Sequence, residues 1–323
     1  MLGLASYFAF FLTVALTYGV ATLGLNLNWG AAGLFNVGVA GFMAVGAYVT
    51  AWLTAAPVAA HWGGFALPIP LGWAGAMAGA ALAAAGLGAV TVRLRADYLA
   101  IATFGASVSL QLVARNAVRL TGGPFGIAFI PRPFESLADR PVAFGLANLA
   151  LTAAVAGVAW LALERLTRSP WGRVLRALRE DEAAAASLGK APDRYRLQAF
   201  VIGAALMGLA GAMQAQFFGF IAPDNYLPVV TFQVWVMLVL GGSGNNRGAL
   251  LGAVVVWGLW AVSGSALHVA LPPAWQARGA SLRVVAIGVG LATVLLLRPR
   301  GLIGEEATVS RHVALSARAQ PLP

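Results

Sequence analysis

The sequence predicts an all-α protein, a polytopic membrane helical bundle of about eight transmembrane helices. Composition is the first ground. Of the 323 residues, 60% are hydrophobic and 10% charged, and the mean hydropathy is +0.80. The apolar residues gather in runs of ~20, the length a helix needs to cross a bilayer core, whereas a transmembrane barrel would show short alternating segments. The placing of charge is the second ground. Eight of the 21 Lys and Arg (Arg165, Arg168, Arg173, Arg176, Arg179, Lys190, Arg194 and Arg196) fall in one polar stretch. Positively charged flanks resist translocation, so this loop is placed on the cytoplasmic side and the topology is counted outward from it.

The first span covers 2–27 and leads into Asn26, Asn28 and Gly30, two amides and a glycine at membrane depth or at an interface. No Lys or Arg precedes Arg93, so the start is expected to be a retained span rather than a signal peptide with a basic leading region. The second span, 33–54, is threaded with Gly33, Gly38, Gly41 and Gly46, where missing side chains let helix backbones touch. His61, beyond it, reads as a plain loop residue with no second ligand near in sequence. The third span, 67–92, carries a close-packing pattern at Gly75 and Gly79 and ends at the cytoplasmic signal Arg93 and Arg95.

The fourth span runs over 97–116, with Asp97 as its expected N-cap. Thr103, Ser107, Gln111, Arg115 and Arg119 recur along it every four residues as a slowly drifting polar stripe. Such a stripe lines a passage, or else bonds between helices while its arginines reach the outer interface. Thr121, Gly122, Gly123 and Pro124 follow and break any helix; irregular backbone near membrane depth is tolerated only when buried in protein or lining a cavity. The fifth span, 142–163, delivers the chain to the basic loop.

Beyond the loop, the sixth span covers 197–218, with Gly203, Gly208 and Gly211 inside it and Gln214 and Gln216 near its outer end. The apolar segment 229–240 is short enough to be re-entrant or tilted. The glycine-rich 241–248 lacks the Lys-Ser or Lys-Thr of a nucleotide loop and follows no predicted strand, so it reads as a turn. A seventh span at 249–266 and an eighth at 282–297 lead to the basic exit Arg298 and Arg300. Residues 1–304 are expected to form the transmembrane domain and 305–323 a polar, disordered tail. With the N-terminus outside, fifteen Lys and Arg fall inside and six outside.

Within the loop, Val174, Leu175 and Leu178 stand at helical spacing with Arg173, Arg176 and Arg179 on the other faces, which predicts a short amphipathic helix at the membrane surface. Glu180, Asp181 and Glu182 come next, then alanines at 183–186, then the stop supplied by Gly189 and Pro192. The product is a small-faced helix, charged at its start and closed by glycine. It suits docking in a groove of another protein, the alternative being a solvated inter-helix loop.

Several classes of chemistry are disfavoured. The charge of +10 is spread between apolar runs rather than gathered in a basic patch with interleaved aromatics, so nucleic acid is not the expected partner; membrane lipid is. There is no cysteine, hence no disulfide or thiolate site. His61, His268 and His312 are scattered, and paired carboxylates occur only in the loop and the tail. Carriers driven by protons or sodium place ionisable residues mid-span, and these spans hold almost none. With neither an ion site nor a nucleotide loop, the chain needs another subunit to supply energy.

At this point the sequence resembles the permease subunits of bacterial ABC importers for branched-chain amino acids, the LivM/LivH type and closer to LivM. The resemblance covers nearly the whole chain. It is carried by Leu25-Asn26-Leu27 with Gly30 and Gly33; Gly46-Ala47-Tyr48; Asp97-Tyr98-Leu99; Thr121-Gly122-Gly123-Pro124 with Gly126-Ile127; Gly172-Arg173 through Arg179-Glu180; Ser187-Leu188-Gly189; Gly208 and Gly211; and Leu240-Gly241-Gly242 with Gly244. It implies that the loop is the coupling helix that docks on an ATP-hydrolysing subunit. Glu180, Glu182, Ala183, Ala184 and Gly189 would then sit at the contact, with force entering through the helix bearing Arg173, Arg176 and Arg179. The general importer pattern has a glycine six residues after the glutamate of Glu-Ala-Ala, whereas Gly189 follows Glu182 by seven.

The resemblance further implies a second permease subunit, two ATP-binding subunits that hold ATP and magnesium, a periplasmic solute-binding protein and a place in the bacterial inner membrane. This chain would itself bind no cofactor or metal and catalyse nothing. Asn26, Asn28, Ser107, Gln111 and the backbone of Thr121, Gly122, Gly123 and Pro124 are the expected passage. Relatives of this type also carry urea and short amides. Two other classes remain as alternatives: a self-sufficient carrier or channel, which would move solute alone, and an intramembrane enzyme, which would need a mid-span catalytic grouping.

Overall fold

Small residues decide how these helices meet. The computed structural model describes residues 2–58, 62–270, 285, 288, 289, 293 and 301–305. The first half holds α1 (Leu2–Asn26), α2 (Val39–Thr54), α3 (Ile69–Thr91), α4 (Ala96–Asn116) and the single turn α5 (Val118–Thr121). A two-residue strand β1 (Ile127–Ala128) precedes α6 (Pro141–Arg168), α7 (Pro170–Glu180), α8 (Glu182–Ser187) and α9 (Pro192–Phe218). Strand β2 (Phe220–Ile221) then leads to α10 (Pro228–Gly241) and α11 (Asn246–Ala270). Seven helices among the described residues are long and apolar enough to cross a membrane, and α2 is a shorter apolar eighth. The chain is therefore the polytopic helical bundle the composition predicts.

Helix α9 is central, packed on α1, α2 and α3, while α1 also meets α6 and α11. A Cβ on Gly46 would run into the carbonyl of Gly208, and one on Gly211 into that of Met43, so α2 and α9 touch backbone to backbone. Polar residues inside helices satisfy themselves locally: Thr13, Thr17 and Thr22 of α1 each donate at 2.8 Å to the carbonyl four residues back.

Contacts between connections define two ends. At the loop end, Arg93 pairs with Asp193 at 2.9 Å, and the backbone of Leu302 and Ile303 donates to the carbonyls of Leu240 and Gly241. At the far end, β1 and β2 form an antiparallel ladder with Ile127 opposite Ile221, and Arg132 donates to the Phe218 carbonyl at 2.8 Å. Helix α10 and the 3₁₀ turn before it (Pro223–Tyr226) run from the far end to the loop end. Pro223–Gly241, which holds the 229–240 segment, is thus long and apolar enough for a crossing, with α10 alone adding ~21 Å at 1.5 Å per residue.

Three expectations need adjusting. The second span does not start at residue 33: Gly33 has φ +68°, 34–38 is non-helical and α2 begins at Val39. Asp97 is not an N-cap, because the helix starts at Ala96 with Arg95 in the cap position. Asp97 stays in the first turn, where its charge still faces the positive end of the helix. The seventh span is longer than expected, since Asn246 opens α11. Most of the eighth span, the exit arginines Arg298 and Arg300, His61, His312 and the tail after Glu305 lie outside the described residues.

Candidate functional site

At the loop end, serine and proline set the first turn. Ser169 stands at the N-cap of α7 and Pro170 at its first position, where a missing N–H costs nothing. Leu175 and Leu178 are buried by the bundle, as the apolar spacing predicts. The helix stops at Asp181, whose extended backbone lets its carboxylate accept the Ala184 N–H at 2.9 Å and cap α8. Gly189, at φ +76°, closes the segment.

The tip so built is bare. Glu180, Glu182, Ala183, Ala184 and Gly189 are exposed and only Ala185 turns inward. Leu188 is 79% exposed, a large apolar side chain with no cover. Glu182 is held by Arg196 at 2.8 Å, which ties the start of α8 to α9. Small residues thus surround one exposed leucine and are rimmed by charge.

The three loop arginines part company. Arg173 and Arg176 border a polar cavity of about 440 Å³, with Asn26, Arg168, Arg247 and Glu164 among its other walls. Arg179 is not among those walls but binds two residues that are: it donates to the Gly30 carbonyl and binds both oxygens of Glu305 at 3.0 and 2.9 Å. It thereby pins the π-helical turn Leu27–Ala31, which joins α1 to the break before α2.

Asn26 and Asn28 hold that elbow together. Asn26 accepts from the Gly244 N–H at 2.8 Å and donates to Asn246 at 2.9 Å; Asn246 in turn donates to Glu164 at 3.0 Å. Asn28 donates to the Ala199 carbonyl at 2.7 Å and accepts from Asn36 at 2.9 Å. The non-helical residues that follow run inside the bundle, and the Asn36 side chain together with side chains from two other helices replaces the missing helical bonds. Gly38 N–H goes to Asn36 at 2.8 Å, Val37 N–H to Thr103 at 3.0 Å and Ala40 N–H to Thr231 at 2.9 Å. Irregular backbone at this depth survives because protein groups satisfy it.

The polar stripe of α4 divides after Gln111, one turn before the helix ends. Thr103, Ser107 and Gln111 are buried against the bundle, and Thr103 and Ser107 line an apolar cavity of about 290 Å³ with Gly38, Phe42, Leu87 and Leu110. Arg115 is exposed and lies 3.9 Å from Asp224, while Arg119 follows the break at Ala117. Thr121, Gly122, Gly123 and Pro124 belong to the far-end cap. There the Thr121 hydroxyl donates to the Ala114 carbonyl at 2.5 Å, and Gly126 packs against the Ile221 backbone. Among the described residues, no three His, Asp or Glu side chains are placed to hold a metal ion.

Residues 7–293 match the family model described as the branched-chain amino acid transport system permease component. The chain belongs to this family. The permease is 36% identical over 271 residues to the high-affinity branched-chain amino acid transport system permease protein LivM of Escherichia coli, an alignment covering 76% of this chain and 60% of that one. It is 28% identical over 228 residues to the probable LivM of Methanocaldococcus jannaschii, with 68% and 64% covered. To LivH of Salmonella typhimurium it is 27% identical over 299 residues, with 90% and 92% covered. It is thus nearer to the Escherichia coli LivM than to that LivH, and spans about 60% of that LivM's length. No solved structure matches it.

Sequence reasoning missed the inward turn of Arg179 and the part played by Asn36, Thr231 and Asn246 in the permease's elbow. Arg179 has the same helical spacing as Arg173 and Arg176. Nothing local tells that its reach ends at Gly30 rather than in water.

Proposed function

We propose that the permease is one transmembrane subunit of an ABC importer in the bacterial inner membrane, moving branched-chain or other small amino acids into the cytoplasm. Two partner subunits hydrolyse ATP with magnesium, a second permease completes the membrane part, and a periplasmic protein delivers the solute. The observation that carries this is the bare tip at α8, with Ala183, Ala184, Ala186, Leu188 and Gly189 uncovered at the basic end of the bundle. The family membership supports it, as does the way Arg179 ties α7 to the elbow. A push on α8 has a continuous route through α7 and Gly30 to the broken backbone ahead of α2.

The passage is placed along the buried face of α4, where Ser107 and Gln111 stand between the elbow and the far-end cap of Thr121 to Pro124. Asn26 and Asn28 act at its inner end by holding the elbow in shape. The apolar cavity beside Ser107 has room for an aliphatic side chain.

The test is co-purification. The tagged permease, extracted in mild detergent, is expected to retain an ATP-binding subunit and to take up amino acid in vesicles only with ATP. Glu182→Arg sets a second cation beside Arg196 and reverses the charge at the tip, so both association and uptake are expected to be lost. Uptake by the chain alone would favour a self-sufficient carrier, and intact association in Glu182→Arg would move the interface elsewhere.

A further inference from the structure

Three polar atoms in the far half of the bundle lack a hydrogen-bond partner among the described residues: the hydroxyls of Tyr48 and Tyr226 and the side-chain carbonyl of Gln214. Tyr226 is 1% exposed and Tyr48 4%. Gln214 donates through its Nε2 to the Tyr18 hydroxyl at 3.3 Å, which orients the amide and leaves its oxygen free. The turn that carries Tyr226 packs on α2, and α2 lies backbone to backbone along α9, with Gly46 on Gly208 and Met43 on Gly211, which brings Tyr48 to the depth of Gln214. Four side chains from α1, α2, α9 and the turn before α10 therefore share one neighbourhood beneath the far-end cap. Gln216 also carries an unpaired nitrogen, but two residues further on it faces away round the helix, toward Trp73, which donates to it at 2.6 Å.

Buried polar groups are paired in nearly all folds, and an unpaired one costs the full loss of its contact with water. Three gathered in one place need a common reason, and their chemistry gives it. Two hydroxyls donate, an amide oxygen accepts, and the set has no net charge. The nearby pair Arg115 and Asp224 is exposed to solvent. Neutral donors and acceptors in an apolar setting complement a head group that carries both charges and no net one; a lone cation or anion would be left without compensation.

We propose that Tyr48, Tyr226 and Gln214 form a binding site for the head group of a small zwitterion, the hydroxyls donating to its carboxylate and the Gln214 carbonyl accepting from its ammonium. Tyr18 positions the amide. The direction from which solute arrives rests on the importer function proposed above; the binding itself does not.

The experiment uses the full-length chain with whatever subunits co-purify, and titrates leucine by saturation-transfer NMR alongside a thermal melt. Tyr48→Phe and Tyr226→Phe remove atoms that have no partner among the described residues, so the melting temperature is expected to hold or rise, while leucine affinity falls about tenfold in each. Isopentylamine, which lacks the carboxylate, is expected not to displace leucine. The site is overturned if wild-type protein does not bind leucine, if both variants bind it as wild type does, or if the amine competes equally. It is overturned as well if the variants melt earlier with affinity intact, since the hydroxyls would then belong to the fold. Failure of the importer function shows on a different readout, the absence of a co-purifying ATP-binding subunit, and leaves the leucine titration free to decide the site.

Discussion

Replacing Arg179 with alanine should disconnect the loop from the bundle while leaving the loop's own surface intact. The guanidinium makes one charge-assisted bond to the Gly30 carbonyl, an interaction of about 1.5–3 kcal/mol. Its pairing with Glu305 is a quarter to a third exposed, at 25% and 35%, and solvent screening leaves it about 0–1 kcal/mol. The Gly30 bond therefore dominates. Its loss shifts the balance between a seated and an unseated elbow by about one to two decades. In proteoliposomes holding the assembled complex, Arg179→Ala is expected to keep the ATP-binding subunit and its hydrolysis but to lower uptake per ATP about tenfold. Arg179→Lys keeps the charge without the fork and should fall between. Glu305→Gln should change little. Wild-type uptake per ATP in Arg179→Ala would refute the argument that this side chain carries the stroke.

Two further substitutions test the frame around that connection. Gly46→Ala drives a methyl into the Gly208 carbonyl, backbone that cannot yield; a cost of about 1–3 kcal/mol is expected, seen as an earlier melt in detergent, and an unchanged melt would mean that α2 and α9 are not in backbone contact. Asn36→Leu strands the Gly38 N–H and the Asn28 side-chain oxygen, each costing about 1–3 kcal/mol. It should impair folding more than Asn116→Leu, whose bond is only to its own helix at 2.8 Å, and equal yields of the two would contradict the part given to the elbow.

What could be read ahead of the structure was whatever local spacing encodes. The apolar face of α7, the charged opening of the α8 segment and its glycine stop all follow from neighbours within a few residues, and each is where the spacing puts it. The Thr103, Ser107 and Gln111 face of α4 was legible for the same reason. The break before α2 was not, because its causes lie far off in the chain: Asn28 bonds to Ala199, and Ala40 to Thr231. An apolar, glycine-rich run such as 33–54 reads as one continuous helix until those distant partners are known. Tyr48 and Tyr226 were equally opaque, since a tyrosine in a hydrophobic stretch gives no sign of whether its hydroxyl finds a partner.

The dependence of α2 on distant groups bears on how the polypeptide is made. When this stretch leaves the ribosome, neither Ala199 nor Thr231 has been synthesised, so the Asn28 side-chain amide and the Ala40 N–H have only water, lipid headgroups or the insertion machinery to turn to. The amino-terminal third must wait in a provisional arrangement until more than half of the remaining chain has emerged. Nascent chains halted just before and just after Thr231 should differ sharply in protease resistance around Asn36, a boundary in time that the finished molecule no longer displays.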